Sequence, residues 1–232
     1  MTREEIRNAM EELLQIAVNT KQGSIDKIQL YITRMDEPIL FWPAHPHRYT
    51  EIIGNEDCET GYQRKIIRSR ISEIDKEQVS WCDIEIPVVF GNYPRRPCLD
   101  LLGHVNGNKL VICELKYGRN GDNPLIAGAQ ILFYYYMILS NIENFEVNNI
   151  LHTNAINQKN IHWEFANDND RIETLVVANQ NYWQKYAGEN WFRNQNARHS
   201  RTAILNVFSS LGVKFYKAVE NLDNTFTWTR IN

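Results

Sequence analysis

Two spacings of hydrophobic residues divide this chain into helical and extended segments. Residues 3–18 repeat apolar side chains at helical intervals, which predicts an amphipathic helix. Residues 27–42 alternate apolar and polar positions enough to predict one or two strands, and Pro43 and Pro46 then indicate a loop. The predicted inward face of the first helix comprises Ile6, Met10, Leu13, Leu14 and Ala17.

The rest of the chain shows the same two spacings, interrupted by turn residues. The region from 141 to 171 is rich in asparagine and predicts no element. The predicted elements are a helix from Asp57 to about Ile74, a strand over 81–90 that Gly91 ends, a strand over 175–178, a helix over 200–210, and a hairpin of 213–220 with 225–231.

Between Pro97 and Lys116, two apolar runs surround an Asn-Gly turn signal, which predicts a β-hairpin. Both runs carry charge, Asp100 in the first and Glu114 with Lys116 in the second. A charge in a buried strand is costly unless it is paired or binds a metal. Two carboxylates and a lysine suit a divalent cation that activates water beside a phosphodiester, whereas the alternative is a set of solvated edge-strand charges.

The loop length of this hairpin decides whether the charges meet. Strand alternation places Glu114 and Lys116 on one face and Cys113 on the other. A three-residue loop after Val105 would set Asp100 opposite Glu114, whereas a two-residue loop would set Asp100 opposite Cys113, on the wrong face. The sequence permits both registers, and only the first assembles a site. We therefore expect an odd-length loop or a compensating bulge.

A helix is predicted after the hairpin. Asn123 is suited to the N-cap, Pro124 to the first helical position, and the apolar run to Leu139 favours helix. Gln130 and Tyr134 are four residues apart and therefore share a face. We expect the Gln130 amide to face the carboxylates, where it can donate to a metal-bound water or a phosphate.

The charged hairpin followed by a glutamine helix resembles the PD-(D/E)XK nuclease superfamily, in its RecB-like branch. The similarity covers about residues 80–140, and Pro97 stands three residues before Asp100 instead of directly before it, a displacement frequent in the family. It implies an α/β, restriction-endonuclease-like fold, a mixed β-sheet flanked by helices, and the predicted order helix, three strands, helix, strand agrees. The matching positions are Asp100, Glu114, Lys116, Gln130 and Tyr134.

The resemblance also implies a role for each position. Asp100, Glu114 and the Leu115 carbonyl would hold Mg²⁺, with Mn²⁺ able to substitute. Lys116 would orient or deprotonate the attacking water and stabilise charge on the phosphorane.

Other residues would assist from the two helices. Gln130 and Tyr134 would adjust the positions of water and phosphate. The superfamily often carries an acidic residue on the helix before the core strands, and Glu59 is the candidate here, with Glu51 and Glu56 as competitors. The alternative for Glu59 is a first-turn glutamate favoured by the helix dipole.

Composition and charge narrow the class of function. The chain is 43% hydrophobic and 23% charged, as globular proteins are. A net charge of −3 argues against a protein that coats nucleic acid, but a nuclease needs only a local basic stripe. DNA is the expected partner, and RNA stays open as a substrate. The preferred contact cluster is Trp191, Phe192, Arg193, Arg198, His199 and Arg201.

The sequence also bears on location and assembly. The N-terminus lacks the apolar core of a signal peptide, and the longest apolar run, Ile131–Leu139, is too short to span a bilayer. We therefore expect a cytoplasmic protein with no membrane partner. The sequence leaves the oligomeric state open, and a homodimer is one option.

These predictions combine into one hypothesis. Residues 1–45 are expected to be an N-terminal appendage of helix and strands, and residues 46–232 a nuclease-like domain. The expected function is hydrolysis of phosphodiester bonds in DNA by a metal-dependent nuclease of the restriction, repair or mobile-element defence type. The alternative is a catalytically inactive scaffold of the same fold that binds nucleic acid or protein.

Overall fold

Seven strands lie side by side in one sheet, in their chain order, within the part of the chain that the structure describes. That part of the computed structural model comprises residues 1–18, 22–36, 57–87, 97–118, 122–149, 171–187 and 201–232. The strands are β1 (Ile71–Ile74), β2 (Glu77–Pro87), β3 (Cys98–Val105), β4 (Lys109–Lys116), β5 (Ile172–Ala178), β6 (Val213–Glu220) and β7 (Phe226–Arg230). The helices are α1 (Arg3–Val18), α2 (Gln22–Arg34), α3 (Glu59–Ser69), α4 (Pro124–Asn149), α5 (Gln180–Lys185) and α6 (Arg201–Ser210).

The sheet is mixed. Strands β1 to β4 form an antiparallel meander, β4, β5 and β6 run parallel, and β7 returns antiparallel to β6. Parallel neighbours need a crossover connection, which contains α4 between β4 and β5, and α5 with α6 between β5 and β6. The α/β class and the mixed sheet flanked by helices are therefore confirmed.

The loop between β3 and β4 has the odd length expected from the sequence. Val105 pairs with Lys109 across three residues. Asn106 and Gly107 adopt φ values of 51° and 76°, in the left-handed region that asparagine and glycine enter at least cost. The choice between the two registers is thus settled in favour of the one that can assemble a site.

Helices cover both faces of the sheet, and β4 is buried between them. Leu110 and Ile112 belong to the core shared with α1, α2, α4 and α6. Val111 and Cys113 belong to the second core, which α3 covers. A strand buried on both faces is expected to be almost continuously apolar, so the two charges at the end of β4 are exceptional.

The strands predicted over 27–42 are wrong for the residues that the structure describes. The segment up to Arg34 forms helix α2, because its apolar residues recur at intervals of three and four and pack against α1 and α4. Residues 37–45 lie outside the described residues. The buried positions of this segment are Ile28, Tyr31, Ile32 and Met35.

The predicted helix over 57–74 is divided in two. Helix α3 begins after Cys58, whose Sγ accepts a hydrogen bond from the Gly61 N–H at 3.4 Å, so Asp57 is not the cap. Arg70, with φ of 60°, ends the helix. The chain then forms β1 and turns at Asp75-Lys76, both with positive φ, into β2, which starts four residues earlier than predicted.

The remaining elements agree more closely with their predictions. Helix α1, helix α6 and strands β6 and β7 lie within one residue of the predicted bounds, and β5 begins three residues earlier. Helix α4 continues past Leu139 to Asn149, and the short helix α5 was not predicted.

An ion-pair network joins the first residues of the three parallel strands. Glu173 in β5 lies 2.7 Å from Lys109 Nζ in β4 and 2.6 Å from Lys214 Nζ in β6. The Glu173 side chain is 9% exposed. Burial alone would raise the pKa of Glu173, but the two lysines hold it below its ordinary value.

The substitution Glu173→Gln is expected to lower the free energy of unfolding by about 1–3 kcal/mol at pH 7, because two lysines lose a shared partner. A lowered carboxyl pKa contributes stability above the unfolded-state value, and that stability is lost as the pH falls through the folded-state value. The difference in the free energy of unfolding between the wild type and Glu173→Gln should therefore narrow as the pH falls below 4.5, the ordinary pKa of glutamate. Urea unfolding at pH 7 and in steps below pH 4.5 measures this, with the exposed Glu11→Gln as control. A difference that is constant over this pH range would contradict the ionic explanation.

Candidate active site

Three charged side chains meet on the face of the sheet that α4 covers. The antiparallel register pairs Leu101 of β3 with Cys113 of β4, and its continuation by one residue sets Asp100 opposite Glu114. Glu114 and Lys116 share the face of the core around α4, whereas Cys113 and Leu115 are buried in the core on the α3 side, as predicted. The hairpin thus carries a polar cluster on one face and apolar packing on the other.

The contacts of these groups leave one carboxylate oxygen without a donor. Lys116 Nζ forms an ion pair with Glu114 Oε1, and the two side chains are 7% and 1% exposed. Asp100 Oδ2 accepts a hydrogen bond from the Leu115 N–H at 2.7 Å. Glu114 Oε2 is buried, and no donor among the described residues contacts it. A buried charged oxygen without a partner is costly and calls for an explanation.

The pKa values of both carboxyl groups are raised. The pKa of Asp100 is raised to about 7, because burial and the charge of Glu59 raise it more than Lys116 lowers it. Burial and the nearby Asp100 raise the pKa of Glu114 well above its usual range, against the attraction of Lys116. The charge of Asp100 follows burial among the causes of the raised pKa of Glu114, so the two carboxyl groups act on each other. Burial thus favours the protonated form of both groups, and the attraction of Lys116 only partly offsets this.

Helix α3 adds two polar residues. Glu59, the first residue of α3, raises the pKa of Asp100 through its charge. Gln63, one turn later, donates from Nε2 to the Asp100 backbone carbonyl at 2.5 Å. The sequence analysis missed Gln63, although its spacing of four from Glu59 was a signal. The competitors Glu51 and Glu56 lie outside the described residues.

Helix α4 supplies a hydrogen-bonded chain to the start of β3. Gln130 Nε2 donates to the Tyr134 hydroxyl at 3.0 Å, and that hydroxyl donates to the Cys98 carbonyl at 2.7 Å. Tyr134 is fully buried and Gln130 is half-buried. Burial, followed by the charge of Glu114, raises the pKa of the Tyr134 hydroxyl. The two residues therefore fix the strand that carries Asp100.

A tyrosine from the N-terminal helices lies near the carboxylates and was also missed. Burial, followed by the charge of Glu114, raises the pKa of Tyr31, and its ring stacks on Phe133 of α4 at 5.1 Å between centroids. Because this segment was predicted as strand, the sequence offered no signal that α2 would reach the site.

The donor set is compatible with a hard cation. No group of three His, Cys, Asp or Glu side chains in the described part of the chain is placed to hold a metal. Magnesium is commonly bound by one or two protein carboxylates, with waters and substrate phosphates completing its octahedron. Asp100 and Glu114 supply such a pair, and the buried Glu114 Oε2 is an oxygen that a cation would satisfy.

The proposed nucleic-acid contact cluster is described only at its end. Residues 191–200 lie outside the described part of the chain. Arg201, the first residue of α6, donates to the Ala187 carbonyl at 3.2 Å. Contact of this segment with nucleic acid therefore stays a prediction.

Comparison with known proteins does not assign a family. No protein-family model matches the chain, and no significant match was found among curated proteins or solved structures. Among the described residues, no helix is both long and apolar enough to cross a bilayer.

Proposed function

We propose that this protein is a divalent-metal-dependent nuclease that hydrolyses phosphodiester bonds in DNA. The observation that carries the proposal is the cluster of the half-buried Asp100 with the buried Glu114 and Lys116 on one face of β3 and β4. Burying two carboxylates beside one lysine costs stability, and such clusters of perturbed pKa values concentrate at functional sites.

The order of the elements supports a restriction-endonuclease-like fold as part of this proposal. The order of the superfamily core is followed by six elements in turn: helix α3, the antiparallel strands β2, β3 and β4, helix α4 and the parallel strand β5. The cluster lies where β4 ends, at the carboxyl edge of the parallel strands, where open α/β sheets commonly bind ligands.

The residues of the site fit a magnesium ion, with manganese as a substitute. Asp100, Glu114 and the Leu115 carbonyl would hold it, because hard cations take oxygen ligands and a bound cation would stabilise the ionised form that burial disfavours in both carboxyl groups. When bound, the metal would activate water and offset charge on the phosphodiester.

Lys116 would act as a charge stabiliser. Burial alone would lower the pKa of Lys116, but the attraction of Glu114, Asp100 and Glu59 raises it above its ordinary value. A lysine held in its protonated form is a poor base for water. Its ammonium group is suited to stabilise negative charge that develops on the phosphorane.

The neighbouring residues would position the groups that react. Tyr134 holds the start of β3 through the Cys98 carbonyl, and Gln130 orients the Tyr134 hydroxyl. Gln63 holds the Asp100 backbone, and Glu59 adds a third carboxylate near the metal ligands. These contacts support a role in holding the site's geometry, since small displacements of reacting groups reduce rates strongly.

The proposal predicts cleavage of at least one nucleic acid in a panel of single-stranded, duplex, flapped and branched DNA and RNA. Activity should require Mg²⁺ or Mn²⁺ and disappear in EDTA. Gel analysis of end-labelled substrates measures cleavage, and calorimetry with each metal alone measures binding. A protein that is inert on the whole panel with both metals would overturn the proposal and favour the inactive scaffold.

A further inference from the structure

An open groove of about 260 Å³ lies on the α3 side of the sheet. It is smaller than the pockets of about 300–1,000 Å³ that hold drug-sized ligands, so it suits a fragment such as a single planar ring. Three of its lining residues are charged, Asp57, Lys65 and Glu220, and Lys65 pairs with Glu220 at 2.9 Å. A groove whose lysine is already paired is a poor phosphate site and favours an uncharged group.

Aromatic rings form one wall of this groove. Tyr62 is fixed, because it is buried and its hydroxyl donates to the Ala218 carbonyl at 2.7 Å. Tyr117 is half-buried and packs beside Tyr62, with ring centroids 5.4 Å apart and planes tilted by 47°. A partly exposed ring supported by a fixed one is suited to stacking against a planar ligand.

Side-chain amides form another part of the lining. Asn179 Oδ1 accepts from the Gly118 and Tyr182 N–H groups, both at 3.1 Å. These bonds hold the amide in place. Gln180 and Asn181 are exposed and line the same groove. Amides supply both donors and acceptors, which matches the edge of a nucleobase.

Two residues that line the groove are sequence neighbours of Lys116 and of its partner in β5. Tyr117 directly follows Lys116, and strand alternation places these two side chains on opposite faces of the sheet edge. Asn179 directly follows Ala178, the residue that pairs with Lys116. The carboxyl edge of β4 and β5 therefore joins the residues of the groove to the strand that carries Glu114 and Lys116.

We propose that this groove holds one unstacked nucleobase of a single-stranded segment whose adjoining phosphate lies at Asp100 and Glu114. The inference rests on the proposed function and narrows its substrate to nucleic acid with a single-stranded region at the site. Recognition would come from stacking on Tyr117 and from the amides around Asn179, with little dependence on base identity.

Binding of fluorescein-labelled oligonucleotides, measured by anisotropy with Ca²⁺ in place of Mg²⁺, tests the inference with a hard cation at the carboxylates and separately from the cleavage assay. Single strands are expected to bind more tightly than blunt duplex. Tyr117→Ala should weaken single-strand binding by about 5- to 100-fold, whereas Tyr117→Phe, which retains the ring, should stay within about twofold. Oligonucleotides with one abasic site, moved along the strand, should show one position at which wild-type binding falls and Tyr117→Ala binding does not.

The wild-type abasic scan keeps the test valid if Tyr117→Ala fails to fold. A scan with no sensitive position, or a sensitive position unaffected by Tyr117→Ala, would overturn the inference. Suppose that Tyr117→Ala cleaves as well as the wild type with Mg²⁺ and that no abasic position weakens binding. This result would overturn base binding in the groove but not the proposed nuclease activity. Loss of wild-type binding at one abasic position, without cleavage of any substrate, would support base binding in the groove and overturn the proposed nuclease activity. Absence of both binding and cleavage would overturn both.

Discussion

Asp100→Asn is expected to abolish cleavage and to stabilise the folded protein. Loss of one metal ligand should reduce the rate by about 10²–10⁴-fold or more, since the metal would no longer be held beside the substrate. The asparagine oxygen can still accept from the Leu115 N–H, and its amide can donate to the unpartnered Glu114 Oε2. Removing a buried like charge while satisfying this oxygen should raise the free energy of unfolding by about 0.5–2 kcal/mol at pH 8 in EDTA.

The stability advantage of Asp100→Asn over the wild type is expected to depend on pH. The folded-state pKa of Asp100 is raised to about 7 from an ordinary value of 3.8. In the wild type, the contribution of Asp100 to the free energy of unfolding is therefore present below pH 3.8 and lost as the pH rises through 7. Asparagine does not titrate, so the variant shows no such loss. The advantage of the variant should grow from pH 4 to pH 8.

Thermal unfolding and cleavage assays on the same preparations measure the two effects. The exposed Glu12→Gln should change neither and serves as the control. Asp100→Asn with full activity would overturn the assignment of the metal ligand. A variant that loses activity only because its stability falls would indicate a structural role for Asp100.

Deletion of residues 1–36 is expected to prevent cooperative folding. Helices α1 and α2 share one buried core with α4 and the central strands, and Tyr31 stacks on Phe133 of α4. Their removal would expose the surface of α4 to water, at about 25 cal/mol for each Å² of apolar area. The division at residue 45 stays a prediction, and this packing argues that the second part does not fold alone.

Circular dichroism and urea unfolding of the truncated protein measure this result. Met10→Ala in the full chain is the matched comparison, because Met10 is fully buried and its truncation should cost about 2–5 kcal/mol while leaving a cooperative transition. A truncated protein that unfolds cooperatively and retains Mg²⁺ binding would contradict the shared core and support an independent appendage.

The sequence by itself determined the elements whose pattern is local. Helix α1, helix α6 and the β6–β7 hairpin follow from periodicity and turn residues alone, and their bounds were predicted within one residue. The shared face of Glu114 and Lys116 also follows from strand alternation, with no knowledge of the fold.

Only the tertiary structure decided the features that depend on distant contacts. The sequence allowed two registers for the hairpin, and the pairing of Val105 with Lys109 selected one. Helix α2 formed where strands were predicted: its apolar residues recur at helical intervals, but only the tertiary structure decided that this face packs against α1 and α4. The contact of Gln63 with Asp100 and the place of Tyr31 beside the carboxylates likewise join residues far apart in the chain. Spacing along a chain determines which side chains share a face, but only packing determines which faces meet.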